Sequence, residues 1–209
     1  FFYGRPMNAS DLIAHFATVI ELPVDVNAVL DALKNNGCED DIEFIGVDLD
    51  PEILQGKISI FWRQSGVYDA DPVRCANIYY HRGHTLDWQR MICCKELVHV
   101  LDPEFAHTST VEGVDKLAEK IGLPPEMQDP MADGTAVNVD RLAEWRAAAL
   151  LLPMAARNAF MPAYEAGKIS SSEIALIADM PHRYVPLVMS EIWERLHDML
   201  ISDRTTDDA

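Results

Sequence analysis

The chain has 209 residues, 49% of them hydrophobic, and a formal net charge of −17 at pH 7. This size and apolar content suit a single globular unit that buries its own core. The negative charge argues against nucleic acid and anionic membranes as partners and favours a basic one, and the sequence has no apolar run of about 18 residues that would cross a membrane.

Hydrophobic periodicity predicts two helices within residues 10–36, divided at Pro23, which cannot continue a helix. Two alternating segments, residues 42–48 and 57–63, predict strands, and residues 77–83 are a third strand candidate. Five helices are predicted after the strands, over residues 86–101, 111–121, 140–158, 170–178 and 184–200. This order predicts an α+β fold in which a small antiparallel sheet packs against the helix of residues 86–101, with the helix of residues 140–158 facing it.

The four cysteines, Cys38, Cys75, Cys93 and Cys94, form no C-x-x-C pair. Reduced thiols that pack as small apolar side chains are therefore expected, as is usual in the cytoplasm. The first ten residues, FFYGRPMNAS, lack an initiator methionine and the cationic segment of a secretory signal. Both features predict a cytoplasmic protein.

The segment KELVH, residues 95–99, differs at one position from the zinc-binding helix motif H-E-x-x-H. In that motif two histidines one helical turn apart bind zinc, and the glutamate acts as general base toward the metal-bound water. Glu96 and His99 keep the base and one ligand, whereas Lys95 replaces the other ligand. A protonated lysine has no lone pair and places a positive charge where the zinc ion would lie. Glu96 can therefore serve as general base only if a metal site is rebuilt from other residues.

Several segments together resemble the ImmA/IrrE family of zinc metallopeptidases. The strand GKISIFW is similar to the family's G-x-I-x-I-N, and RMICCKELVH is similar to its R-F-T-L-A-H-E-L-G-H helix. A later segment, DRLAEWRAAALLLPMAARNAF, resembles E-A-N-R-F-A-A-E-L-L-M-P, and the segment beginning EAGKISSSEIALIADM resembles the family's C-terminal stretch. The resemblance implies a metallopeptidase-like domain over residues 8–160 and a C-terminal helical extension over residues 161–209 that packs on it.

The resemblance also implies which zinc ligands are lost. Lys95 stands at the first histidine and Val98 at the glycine before the second. Alignment on Pro153 puts Leu142 at the glutamate that supplies the third ligand. The former metal-site positions are therefore Lys95, His99 and Leu142, and two of the three carry no ligand. We expect no metal cofactor and a catalytically inactive family member that acts as a binding or regulatory module, with a protein partner such as a transcriptional repressor.

An active zinc peptidase with a rearranged ligand set is the alternative. Its ligands would be His99 with Glu144 or with a nearby histidine, namely His81, His84 or His107. Helix geometry argues against direct replacement, because Glu144 and Asp140 each lie two positions, about 200°, away from Leu142.

A second alternative is a DNA-associated regulator that uses the C-terminal helices, in which Ser171 or Ser172 caps the first helix and Pro181 marks the turn. Residues 157–209 contain five Lys/Arg against nine Asp/Glu, which disfavours phosphate binding.

A lysine in place of a zinc ligand predicts an ion pair. An enclosed ammonium without a partner costs several kcal/mol, so a carboxylate is expected close to Lys95. Glu144 and Asp140 on the facing helix are the first candidates, and Glu96 is the fallback because consecutive helix positions point about 100° apart. The other interpretation is that Lys95 extends its apolar stem along the helix and leaves its charged head in water.

Overall fold

The computed structural model describes residues 7–48, 56–64, 71–101 and 135–202, with side chains from residue 141 in the last range. His107 and the predicted helix over residues 111–121 lie outside the described residues. The described elements, in chain order, are α1 (Ala9–Phe16), α2 (Val26–Asn35), β1 (Asp41–Val47), β2 (Gly56–Arg63), β3 (Val73–His81), α3 (Leu86–His99), α4 (Thr135–Leu151), α5 (Met154–Glu165), α6 (Ser171–Ala178), α7 (Val185–Val188) and α8 (Ile192–Ser202). A single turn of 3-10 helix, His182–Tyr184, leads directly into α7. Eight helices and one small sheet in this part of the chain confirm the α+β prediction.

The two N-terminal helices begin at polar caps. The Asn8 side chain accepts a hydrogen bond from the Asp11 amide at 2.9 Å, and the Asp11 carboxylate accepts one from the Asn8 amide at 3.3 Å. This reciprocal capping box satisfies two amides that have no partner within α1. The Asp25 side chain caps α2 in the same way, by accepting from the Asn27 amide. The predicted break at Pro23 is confirmed, because it lies between the end of α1 and the start of α2.

The sheet is mixed, which corrects the expectation that it is antiparallel. Its strand order is β1-β3-β2, in which β2 pairs antiparallel with β3 and β1 pairs parallel with β3. The chain reverses direction after β1 and again after β2, so β1 and β3 run the same way. They become parallel neighbours because β3 lies between the other two strands. The third strand also begins earlier than predicted, at Val73.

One face of the sheet packs on α3 and supplies part of the core. Residues that pair across strands share a face, and the register aligns the buried side chains of Ile42 and Ala76 and those of Ile58 and Ile78. On its other side α3 packs along α4. Four alanines of α4 are almost fully buried: Ala143, Ala147, Ala148 and Ala149. The predicted layering of sheet, motif helix and facing helix is therefore present.

Two long helices expected in the C-terminal half are each interrupted. Residues 140–158 do not form one helix, because α4 ends at Leu151 and α5 begins at Met154 with Pro153 as its N-cap. Proline has no amide hydrogen to donate and its ring clashes with the preceding turn, so the chain stops and restarts there. Residues 184–200 are likewise divided into α7 and α8.

A buried arginine stabilises the second interruption. Arg157 on α5 is 1% exposed, and its guanidinium donates to the carbonyls of Val188 at 2.7 Å and Ser190 at 2.9 Å. Carbonyls at the end of a helix have no partner within it, so these bonds satisfy the end of α7. Arg157 also forms an ion pair with Glu194 at 3.1 Å, which joins α5 to α8.

The C-terminal helices pack on the N-terminal part of the chain. The Ser10 hydroxyl on α1 donates to the Leu200 carbonyl on α8 at 2.7 Å, and the two helices pack against each other. This contact agrees with an extension that packs on the rest, while the proposed boundary between residues 160 and 161 stays a prediction. None of the helices in the described ranges is both long and apolar enough to cross a membrane.

Candidate functional site

The motif helix α3 is fixed at its first turns by two side chains. Gln89 donates from its amide nitrogen to the Arg82 carbonyl at 3.0 Å and to the His84 carbonyl at 2.7 Å, which ties the preceding turn to the helix. Arg90 donates to the Val24 carbonyl at 2.6 Å and to the Asp179 carbonyl at 2.9 Å. The Asp179 carboxylate also lies 3.3 Å from the Arg90 guanidinium. Arg90 therefore holds α3 against both the N-terminal and the C-terminal helices.

Gly56 lets the edge strand β2 approach the motif helix closely. A Cβ atom at this position would lie 2.3 Å from Ile92 Cγ2 and 3.2 Å from Glu96 Oε1. Carbon atoms in contact are normally about 3.5–4.0 Å apart, so a side chain here would push strand and helix apart. The glycine that begins GKISIFW thus has a steric role, which sets the distance between β2 and the Glu96 carboxylate.

Replacing Gly56 with alanine is expected to destabilise the protein by about 1–3 kcal/mol, because the added methyl group overpacks this contact. Urea denaturation followed by circular dichroism measures the change. Ile92→Ala removes the clashing Cγ2 atom, so the double variant should lose less stability than the sum of the two single variants. Strictly additive losses would contradict the proposed contact.

Lys95 and Glu96 form the ion pair at the centre of the site. Lys95 Nζ lies 3.3 Å from Glu96 Oε1, and the side chains are 18% and 6% exposed. Among the described side chains, the fallback partner Glu96, on the same helix, contacts Lys95. Glu144, the first candidate, is within 3.6 Å of Arg183, and the side chain of Asp140 lies outside the described part of the chain. The contact between the ammonium and a buried carboxylate argues against a lysine that simply extends its head into water.

Sequence reasoning missed two residues of the site, Arg183 and Tyr184, which come from the 3-10 turn before α7. The Arg183 guanidinium lies 4.6 Å from the centre of the Trp88 ring on α3 and 4.7 Å from that of Tyr184, and it donates to the Tyr184 hydroxyl. These are favourable cation–π distances. Only the turn-forming Pro181 marked this segment in the sequence, since a contact across almost a hundred residues leaves no local pattern.

The pKa of the Tyr184 hydroxyl depends on burial and on the charges that surround the site. Burial raises its pKa, and the nearby Glu144 carboxylate adds to this, whereas the hydrogen bond from Arg183 and the positive charges of Arg183 and Lys95 lower it. Tyr184 is therefore a neutral phenol at pH 7. Two cations and two carboxylates are thus brought together where α3, α4 and the 3-10 turn meet, and Leu142 is partly buried against the hydrophobic core.

The two adjacent cysteines of α3 are not reactive thiols. Burial raises the pKa of Cys93 and of Cys94 to about 12. The thiolate is the nucleophile and the metal ligand, and almost none forms at neutral pH with such values. Both residues serve as small apolar side chains in the core, as expected from the sequence, and all four cysteines are free.

Two histidines of the alternative ligand set, His81 and His84, lie at the end of β3 and in the turn that follows it. The rings of His81 and His84 lie 5.3 Å apart, and His81 Nδ1 accepts a hydrogen bond from the Gly83 amide at 2.9 Å. A neutral ring whose Nδ1 accepts carries its proton on Nε2, so neither nitrogen of His81 offers a free lone pair. Burial lowers the pKa of His84, as does the neighbouring His81. Within residues 7–48, 56–64, 71–101 and 141–202, whose side chains are described, no group of three or more His, Cys, Asp or Glu could hold a metal ion.

Comparison with known proteins finds no relative of this chain. No protein family model matches the chain, and neither the curated proteins nor the solved structures contain a significant match. Fold and site define an α+β protein whose motif helix carries a Lys–Glu ion pair with a buried carboxylate. Membership of the ImmA/IrrE family stays a prediction from the sequence motifs.

Proposed function

We propose that this chain is a catalytically inactive relative of the ImmA/IrrE metallopeptidases that acts as a binding or regulatory module. The observation that carries the proposal is the 3.3 Å contact between Lys95 Nζ and Glu96 Oε1. A general base must be within reach of the water whose proton it takes and must be able to accept that proton. Here the carboxylate is buried and is engaged in an ion pair with the Lys95 ammonium.

The residues at the three former ligand positions support the same conclusion. A catalytic zinc site needs about three protein ligands and an open position for water. Of Lys95, His99 and Leu142, only His99 has a lone pair for a metal at neutral pH. The ammonium of Lys95 adds electrostatic repulsion of a dication at the position where it would bind. The alternative, an active zinc peptidase, would require Lys95 to leave Glu96 and other side chains to supply the missing ligands.

The proposed partner is a protein with a basic surface. The net charge of −17 favours association with positive partners and disfavours nucleic acid. The sequence resemblance implies a transcriptional repressor as one such partner. In this role the fold serves as a rigid scaffold. The Lys95–Glu96 ion pair takes the place of the metal ion in connecting residues of the motif.

Hydrolysis of an unstructured protein substrate such as casein tests the proposal, with zinc supplied in the assay. We expect the wild-type protein and Glu96→Gln to give the same background rate, since no metal-bound water is available for Glu96 to activate. A zinc-dependent rate that falls by at least about 100-fold in Glu96→Gln, the size of a general-base contribution, would show that the protein is an active peptidase.

A further inference from the structure

The inward face of α8 carries two polar side chains that are buried without a hydrogen bond. Trp193 is fully buried and His197, one helical turn later, is 4% exposed. Neither Trp193 Nε1 nor His197 Nε2 has a hydrogen-bond partner among the described residues. Positions four residues apart lie on the same helical face, so both nitrogens lie on the side of α8 that packs on the rest of the protein.

The surroundings of His197 favour the neutral imidazole. Burial lowers its pKa from the usual 6.5; Asp198 on its own helix raises it, and the Arg157 guanidinium lowers it. Arg157 cannot move away easily, because it is 1% exposed and bound to two carbonyls at the end of α7. A protonated His197 would therefore be a buried cation close to a second, fixed cation.

The other elements packed against α8 offer little compensation. On α1 the acidic residue is Asp11, whose carboxylate already accepts from the Asn8 amide in the capping box. His15, also on α1, is exposed, and α7 has no titratable side chain. On α8 itself Glu194 is paired with Arg157, and Asp198 is exposed. Asp198 is thus the only one of these carboxylates that stabilises a positive charge on His197.

We infer that His197 makes the docking of α8 sensitive to acid: the neutral ring holds the helix on α1 and α5, and protonation releases it. Undocking would expose the buried indole of Trp193 and the α1 surface beneath it, and so present a new apolar surface at low pH. The motif helix is not needed for this change, because α8 packs on α1 and α7 and is joined to α5.

The direction of the pH effect follows from linkage. The docked state has the lower pKa, so the undocked state binds more protons in the range between the two values. Docking is therefore at full strength above about pH 6.5, the ordinary histidine pKa, and weakens as the pH falls toward the lowered value. Within that range the docking equilibrium is expected to fall by up to about tenfold per pH unit.

Hydrogen–deuterium exchange of the full-length protein at pH 7.5 and pH 5.0, corrected for intrinsic exchange rates, tests the inference. Amides of α8 should lose protection at the lower pH, by up to about tenfold for each pH unit over which His197 titrates, whereas those of the reference strand β2 should not. His197→Phe keeps a buried ring that cannot titrate, so its α8 should stay protected. The matched control is His182→Phe at an exposed histidine, which should behave as wild type.

Equal protection of α8 at both pH values in the wild type would overturn the inference, as would the same acid-induced loss in His197→Phe. An NMR titration of the His197 ring in the wild type makes the result independent of how that variant folds. Its midpoint should coincide with the loss of α8 protection, and a clear separation of the two midpoints would count against His197 as the trigger.

Discussion

Replacing Lys95 with methionine is expected to lower the free energy of unfolding by about 3 kcal/mol. The substitution leaves the Glu96 carboxylate, 6% exposed, without the ammonium that lies 3.3 Å away. Removing one partner of a buried ion pair typically costs about 3–5 kcal/mol, and the lower end applies because Lys95 itself is 18% exposed. The urea midpoint, followed by circular dichroism, measures the loss.

Two further variants separate the ion pair from general effects of losing a lysine. Lys34→Met changes an exposed lysine on α2 and should alter stability by less than about 0.5 kcal/mol. Adding Glu96→Gln to Lys95→Met removes the uncompensated charge and should recover part of the loss, which a double-mutant cycle measures directly. A near-neutral Lys95→Met would mean that the lysine leaves its head in water and does not stabilise the site.

The second large effect is a gain of zinc binding. Lys95→His combined with Leu142→Glu restores the ligand types that the family motif has at these positions. If the alignment is right, the apparent zinc affinity should rise by at least about 100-fold over the wild type, because three ligands on two packed helices replace one. Isothermal titration with zinc at pH 7, after removal of metal with a chelator, measures the affinity.

A matched variant tests the assignment of the third ligand. Lys95→His with Leu142→Gln has the same two substituted positions but lacks the carboxylate, so its affinity should stay well below that of the glutamate variant. No gain in either variant would show that α3 and α4 do not bring positions 95, 99 and 142 together, and the resemblance in the second motif would then be accidental.

The pattern of apolar and polar residues predicted most of the helices and strands, because each of these elements has a recognisable pattern within its own segment. Residues 57–63 alternate, and α1 has a capping residue before an apolar stripe, so neither needs tertiary information. The position of β3 between β1 and β2 could not be read in this way, since strand order depends on the path of the chain and not on the pattern within a strand. The break at Pro153 could have been predicted, because a proline in the interior of a helix removes a hydrogen bond and its ring clashes with the preceding turn.

Only part of the candidate site could be predicted from the sequence. Spacing identified Lys95, Glu96 and His99, since they share one helix and one motif. It ranked Glu144 and Asp140 above Glu96 as contacts for Lys95, because adjacent helix positions point in different directions, and the side chain of Asp140 lies outside the described part of the chain. A long, flexible lysine side chain can nevertheless turn back toward its neighbour. The contribution of Arg183 depends on a turn that the fold brings to α3 and α4, and no periodicity or spacing rule indicates it.

The zinc content of the wild-type protein, purified without chelator and measured by inductively coupled plasma mass spectrometry, tests the central claim most directly. If Lys95 and Glu96 form an ion pair in place of a metal site, the protein should contain far less than one zinc ion per chain, because His99 alone cannot retain the metal against water. About one zinc ion per chain, lost together with casein hydrolysis on treatment with a chelator, would contradict the account.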